Sequence, residues 1–221
     1  MLKQKFSKGE AIRFGWKTMK ANLWFFVGLI ALVIAINIII NLVGLPLQIQ
    51  KTPEQITAGL VFFALFILIV RLITQAFIEL GITRVTLKLS DGKKAFFSDI
   101  LSRVSSVFNF LLATLAYTLA IAIGIALLII PGIIVAVRCQ FFGFFIVEEN
   151  AGPIESLKKS WGLTKGSTWN IILFNLLCAL IDIAGILCLL IGAFAAIPTT
   201  RIARAFVFRR LESHKEISQG S

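Results

Sequence analysis

Residues 21–43 read ANLWFFVGLIALVIAINIIINLV, a run without a single charged side chain. Roughly 20 such residues in a helix span the hydrocarbon of a bilayer. The run is too long for the apolar core of a secretory signal and carries no small-residue cleavage site, so it reads as a first membrane anchor. The rest of the chain agrees: of 221 residues, 58% are hydrophobic and only 15% charged, with mean hydropathy +0.92. Soluble domains carry about a quarter charged residues and under half apolar ones. A soluble domain is therefore excluded, and the length allows about six crossings with short connections.

The expected fold is all-α: a polytopic membrane protein with about six transmembrane helices as three helical hairpins, one integral domain over 1–221. Spans fall at about 22–45, 55–80, 105–130, 131–147, 167–187 and 188–211. Pro46, Pro53 and Pro131-Gly132 punctuate them. Inside 105–147 the Pro-Gly pair is the sole break, and inside 167–211 only Gly185, Gly192 and Pro198 offer turning points. Four long kinked helices are the competing reading.

Positive charge assigns the sides. Lys3, Lys5, Lys8, Arg13, Lys17 and Lys20 precede the first span, and the other same-side connections hold every remaining Lys and Arg except Lys51 and the in-span Arg71 and Arg138. Basic loops stay cytoplasmic, so both termini are expected inside. The net charge of +11 follows from this topology. It does not form a separate basic patch with stacking aromatics, so no nucleic-acid partner is expected.

Ahead of the first span, Ser7 with Glu10 three residues on is a helix-start signature, which predicts a surface helix over 7–21. Ile12, Trp16 and Met19 share one side and Arg13, Lys17 and Lys20 another, the layout of a helix in the headgroup layer. Trp24 marks the interface. The pattern returns 145 residues later: Glu10, Ile12, Arg13, Gly15, Trp16, Lys20 and Trp24 match Glu155, Leu157, Lys158, Ser160, Trp161, Lys165 and Trp169. All the tryptophans fall in register, predicting a second surface helix over 152–165 and an internal repeat of helix-plus-hairpin units. The middle hairpin has a lead-in of its own, with Ser98 as its N-cap. The expected lipid-surface set is Lys8, Arg13, Trp16, Lys17, Lys20, Trp24, Lys158, Trp161, Lys165 and Trp169, and its expected partner is the bilayer, specifically anionic headgroups.

The stretches Ile130-Pro131-Gly132-Ile133-Ile134, Ile146-Val147-Glu148-Glu149, Gly152 to Trp161 and Leu163-Thr164-Lys165-Gly166, together with Phe6 to Lys17 and Leu80 to Lys93, resemble the membrane-domain family named after glycerophosphoryl diester phosphodiesterases, which includes bacterial inner-membrane proteins. The resemblance implies six helices and a bacterial inner (cytoplasmic) membrane. It does not imply the phosphodiesterase reaction, which in that family belongs to a separate soluble barrel.

No catalytic apparatus is visible. His214 follows the last span in a polar tail, and Cys139, Cys178 and Cys188 stand isolated in apolar sequence, as small buried hydrophobes without metal-ligand spacing. Phosphate-loop and dinucleotide-binding glycine patterns are absent. The chain is expected to be no enzyme, with no cofactor and no metal.

Charges inside spans are costly and face protein or water, at about 2.5–3.5 kcal/mol each on insertion scales. Depth counting puts Arg138 opposite Asp182, which predicts a pair. Arg71, Gln75 and Glu79, spaced four apart, form a polar stripe on the second span, with Arg201 and Asn175 at similar depth; Glu79 is expected to meet Arg201. Ala116, Ala120 and Gly124 make a small-residue groove. Two functions follow. The first is a non-enzymatic membrane-organising or accessory scaffold gripping anionic lipid. The alternative is a small transporter or channel built around Arg71, Gln75 and Glu79, assembled as a homo-oligomer.

Overall fold

A computed structural model describes residues 6–49, 58–101, 104–188 and 191–219, and every regular element among them is helical. Pro53 and Lys51 lie outside the described residues. Helix α1 runs Lys8–Ala21, started by Ser7, whose hydroxyl accepts the Glu10 N–H at 3.5 Å. Next come α2 (Leu23–Ile49), α3 (Ala58–Ser90), the single turn α4 (Ser98–Leu101), a short 3-10 turn, and α5 (Val107–Leu127). The chain ends with α6 (Ile129–Cys139), α7 (Phe142–Glu149), α8 (Pro153–Leu163), α9 (Thr168–Leu187) and α10 (Ile191–Gln219).

Among the described residues, five stretches are long and apolar enough to cross a membrane: 23–44 in α2, 59–90 in α3, 107–127 in α5, 129–149 through α6 and α7, and 168–187 in α9. The chain is an all-α polytopic membrane protein. The expected sixth span falls on α10, which is not among these stretches; Arg201, Arg204, Arg209 and Arg210 ride on it. It has no need of an apolar circumference. From Ile202 to Leu211 most of its residues are fully covered by α1, α3, α7 and α9.

Exposure divides the molecule into two zones. Val61, Phe62, Phe66 and Ile69 on α3, with Leu115, Leu119 and Ile123 on α5 and Leu180 and Ile183 on α9, face outward as an apolar band. From Ala76 to Leu89, α3 is instead buried in protein. At 1.5 Å per residue its 33 residues run about 50 Å, more than one hydrocarbon thickness. The helix therefore ends ten residues beyond the expected span end at residue 80, and that end enters a protein core. Phe208 of α10 holds that core together, with Phe144 stacked at 5.0 Å and Phe145 edge-on at 5.2 Å.

The turns differ from expectation for a clear reason. Pro131 does not break the middle hairpin; it lies in the first turn of α6, where the missing N–H has no helical partner to lose. The chain reverses three residues earlier, at the extended Leu128 (φ −163°, ψ 142°). Gly124 and Gly132 let the two helices meet there: a Cβ on Gly124 would come 2.8 Å from the Gly132 Cα, and one on Gly132 would come 2.8 Å from the Ile125 backbone nitrogen. Of the expected small-residue groove only Gly124 is used in this way; Ala120 is exposed. Helix α2 likewise continues through Pro46 to Ile49.

The lead-in helices follow one rule. Helix α1 lies antiparallel on α10, with Glu10 against Arg210 at 2.9 Å and Phe14 stacked on Phe206 at 4.7 Å. Helix α4 lies on α3, where Gly81 makes room for Ile100. Helix α8 lies on the junction of α6 and α7, where the Ser160 hydroxyl accepts the Phe141 N–H at 3.0 Å and donates to the Arg138 carbonyl at 2.8 Å. Each lead-in helix covers the second helix of the hairpin before it, and α1 closes the ring on the last.

Candidate functional site

A cavity of about 420 Å³ opens where α3, α5, α9, α10 and the junction of α6 with α7 converge. Its polar wall is Glu79, Thr83 and Thr86 from α3, Tyr117 from α5, Gln140 from the junction, Asn175 from α9, and Arg201 and Arg204 from α10. Arg201 lies ten residues into α10 from one side and Tyr117 ten residues into α5 from the other. At 1.5 Å per residue each is about 15 Å from its helix start.

Glu79 and Arg201 meet as the spacing leads one to expect. Both guanidinium nitrogens reach the carboxylate, NH1 to Oε2 at 2.5 Å and NH2 to Oε1 at 2.9 Å, a fork geometry that adds direction to charge. Arg204 has no carboxylate within ion-pair distance among the described residues, and its buried Nε has no hydrogen-bond partner. The lining thus holds two guanidinium groups against one carboxylate. The Asn175 amide donates to Gln140 Oε1 at 2.9 Å, which leaves the Gln140 Nε2 donor and the Asn175 Oδ1 acceptor buried and unmatched. Unmatched buried donors and acceptors cost about 1–3 kcal/mol each unless water or a ligand reaches them.

The junction exists because α6 ends at Cys139 and α7 begins at Phe142. Non-helical backbone at membrane depth is tolerated only where protein or a wet cavity satisfies it. Here Ser160 of α8 and Thr164, the residue that caps its C-terminal end, serve it from one side, the Thr164 hydroxyl reaching the Arg138 carbonyl at 3.2 Å, and the cavity lies on the other. The Tyr117 hydroxyl donates to the Ala136 carbonyl at 2.9 Å just before the break.

Several sequence expectations are redrawn. Arg138 and Asp182 do not pair. The Arg138 guanidinium stacks 4.0 Å from the Trp161 ring, while Asp182 accepts from the Thr200 hydroxyl at 3.0 Å. Depth counting fixed how far each residue lies along its helix but not the azimuth, and Arg138 faces α8. The stripe also divides. Arg71 donates to Asn41 on α2 at 2.6 Å and is exposed, Gln75 is exposed, and only Glu79 reaches the cavity. Each four-residue step turns the helix face by about 40°, so eight residues carry the stripe off one face.

Of the lipid-surface set, Arg13, Lys17, Lys20, Lys158 and Lys165 are exposed and Lys8 is half-buried. Trp24 and Trp169 are 83% and 74% exposed. Lys20 sits 4.9 Å over the Trp16 ring, as Arg138 sits over Trp161, so those two rings are capped by cations. The face of α1 that is buried is Ala11, Gly15 and Met19, and it meets α10 rather than lipid. The Ile12, Trp16 and Met19 side predicted for the membrane is thus only partly correct. Helix α4 starts without Ser98 as its cap: the Asp99 carboxylate accepts the Phe96 N–H at 2.8 Å. Cys139 and Cys178 are buried but Cys188 is exposed, and His214 is on α10 rather than in an irregular tail.

Thr83, Thr86, Tyr117, Gln140 and Arg204 escaped the sequence reading as site residues. Gln140 carried a signal, a second polar residue two positions after Arg138 in an otherwise apolar span. Arg204 was masked by its assignment to a cytoplasmic cluster. At that inner end, Arg209 does form a network, bidentate to Asp91 at 2.8 and 2.9 Å and reaching Glu148 at 2.5 Å and Glu212 at 2.9 Å.

Comparison with known proteins adds one finding. No curated protein and no solved structure matches the chain. A family model matches residues 92–212, from just before α4 to near the end of α10, which includes Tyr117, Gln140, Asn175, Arg201 and Arg204 but not α1 to α3. With more than half its length in that match, the chain belongs to the family described as Domain of unknown function (DUF7847).

Proposed function

We propose that this protein is a small membrane transporter or receptor that takes an anionic group into the cavity between α3, α5, α9 and α10. The observation that carries the reading is the excess guanidinium of Arg204 in the same cavity wall as the unmatched Gln140 donor. A charge held there without a carboxylate is expensive unless an anion or water shares the site. A helix interrupted beside the site is a recurring feature of solute sites in transporters. The setting proposed is a bacterial inner membrane with both termini cytoplasmic, in line with the basic connections and with the resemblance to the phosphodiesterase-associated membrane domains. No reaction is assigned.

The test uses proteoliposomes and radiolabelled chloride, phosphate, glycerol phosphate and glutamate. Uptake or saturable binding of at least one anion, reduced about ten-fold or more by R204Q and unchanged by R71A, supports the reading. Anion handling indifferent to R204Q overturns it. A second reading, a scaffold on anionic lipid, is favoured by the exposed Trp24 and Trp169 at matched positions of the two repeats. It requires salt-sensitive vesicle binding that is lost in K17E combined with K158E.

A further inference from the structure

Beside the polar cavity lies an apolar groove of about 180 Å³, walled by Phe26, Leu29, Ile30 and Val33 of α2 and by Ile197 and Pro198 of α10. Ile82, Thr86 and Arg201 belong to the walls of both spaces. The two spaces therefore adjoin at these residues, one charged and hydrogen-bonding and the other lined almost without polar atoms. The groove borders α2, whose outward positions Ile34, Ile38, Ile39 and Leu42 are all exposed in the apolar band, so its approach is from hydrocarbon rather than from water.

From this junction we infer that the anionic group is carried by a lipid: a single amphiphile lies with its headgroup against Arg204 and Gln140 and its acyl chain along the groove between α2 and α10. The inference rests on the anion reading above and narrows it from any anion to a membrane-borne one. Three features fit this occupant, and the second of them is one a free solute does not share. The net charge of the polar lining calls for an anion. A water-soluble anion gains nothing from the groove, whereas each chain methylene moved into it keeps an apolar environment. And Arg201, already neutralised by Glu79, stands where the two spaces adjoin as a fixed hydrogen-bonding post that needs no second charge. Arg204 is thus left to receive the headgroup, since its Nε is the unmatched buried donor on α10.

Native mass spectrometry of the full chain in a neutral maltoside detergent tests this, with dioleoyl phosphatidylglycerol, dioleoyl phosphatidylcholine and glycerol phosphate as probes. The expected result is that phosphatidylglycerol binds about ten-fold or more tightly than the choline lipid of the same chains, a charge-assisted contact being worth about that factor. R204Q should abolish that preference. I30W, which fills the groove from the largely exposed α2, should weaken phosphatidylglycerol to the same degree while leaving glycerol phosphate unchanged. Each variant is accepted only if its thermal unfolding midpoint stays within a few degrees of the parent. Glycerol phosphate binding as tightly as phosphatidylglycerol, with I30W inert, overturns the lipid assignment and leaves the anion reading standing. Loss of all preference for the anionic lipid in the parent chain, with R204Q inert toward every probe, overturns both.

Discussion

A methyl group added at Gly15 overlaps the carbonyl oxygen of Thr199, and no flexible side chain is there to yield. Gly15→Ala therefore has to push α1 off α10, a shift that costs about 1–3 kcal/mol in a packed contact. Gly9, on the same helix, has nothing within 4 Å of its added Cβ. Gly9→Ala should leave stability unchanged or raise it by up to about 1 kcal/mol, the helix preference of alanine over glycine. Thermal unfolding of the two variants in one detergent compares them directly. Equal midpoints would mean that the α1 contact with α10 is not formed.

Asp99 supplies a pH-dependent case. Burial works to raise its carboxyl, but the Lys88 hydrogen bond, the Phe96 N–H and the positive fields of Lys88 and Arg84 outweigh burial and hold it below its ordinary value of 3.8. A carboxyl depressed in the folded state stabilises above its unfolded pKa, and that contribution disappears as pH falls through the folded one. Asp99→Asn should lower the unfolding midpoint at pH 7, by the few degrees that about 1–2 kcal/mol represents in a chain of this size. The gap between variant and parent should close as the pH is taken well below 4. A gap that stays constant from pH 7 to pH 3 contradicts the account.

At the scale of elements, the repeat read from tryptophans turns out to be carried by smaller residues. Shifted by the same 145 positions, Ala11, Gly15 and Met19 become Ser156, Ser160 and Thr164, and all of these are buried. The tryptophans were legible because four of them in register stand out in a chain with only four. The stripe beneath was not, since alanine, glycine and serine give little periodic signal. The two stripes do different jobs: one lets backbones approach, the other feeds hydroxyls to the gap between α6 and α7. Ser160→Ala leaves the Phe141 N–H and one acceptor of the Arg138 carbonyl unserved, at a cost of about 1–3 kcal/mol. Hydrogen exchange at Phe141 should rise in that variant, and exchange at Ile171 of α9, buried away from the gap, should change far less.

The same scale explains what the sequence reading missed. Hydropathy locates a span to within a few residues, and the first and fifth lie where expected. It is blind to azimuth, so the expected pair of Glu79 with Arg201 forms while the expected pair of Arg138 with Asp182 does not. Pro131-Gly132 was legible as punctuation but not as a first turn packed against Gly124, because the distinction depends on what the glycine touches. The polar cavity was expected around Arg71, Gln75 and Glu79, and only Glu79 lines it; the rest of its wall comes from α3, α5, α9, α10 and the junction of α6 with α7, which no linear pattern joins.

For the whole molecule, the decisive element is α10. Composition alone gives five spanning stretches, and an odd number of crossings would place the C-terminus opposite the N-terminus, with the basic end of α10 on the outer side. The packing argues for six. The arginines of α10 need not meet lipid, because Arg201 is held by Glu79 and Arg209 by Asp91 and Glu148, while Ile202, Ala203, Val207 and Phe208 are covered completely. A helix sheathed by α1, α3 and α9 crosses on the apolar surface of its neighbours, and its own hydropathy ceases to decide the matter. Lys93→Cys and His214→Cys, in a chain with Cys188 replaced by serine, should therefore react with a membrane-impermeant maleimide from the same face, and only in opened vesicles if that face is cytoplasmic. Leu128→Cys, at the reversal between α5 and α6, should react from the opposite face. Labelling of positions 93 and 214 from different faces removes α10 from the membrane, and with it the depth that makes the Arg204 site an intramembrane one.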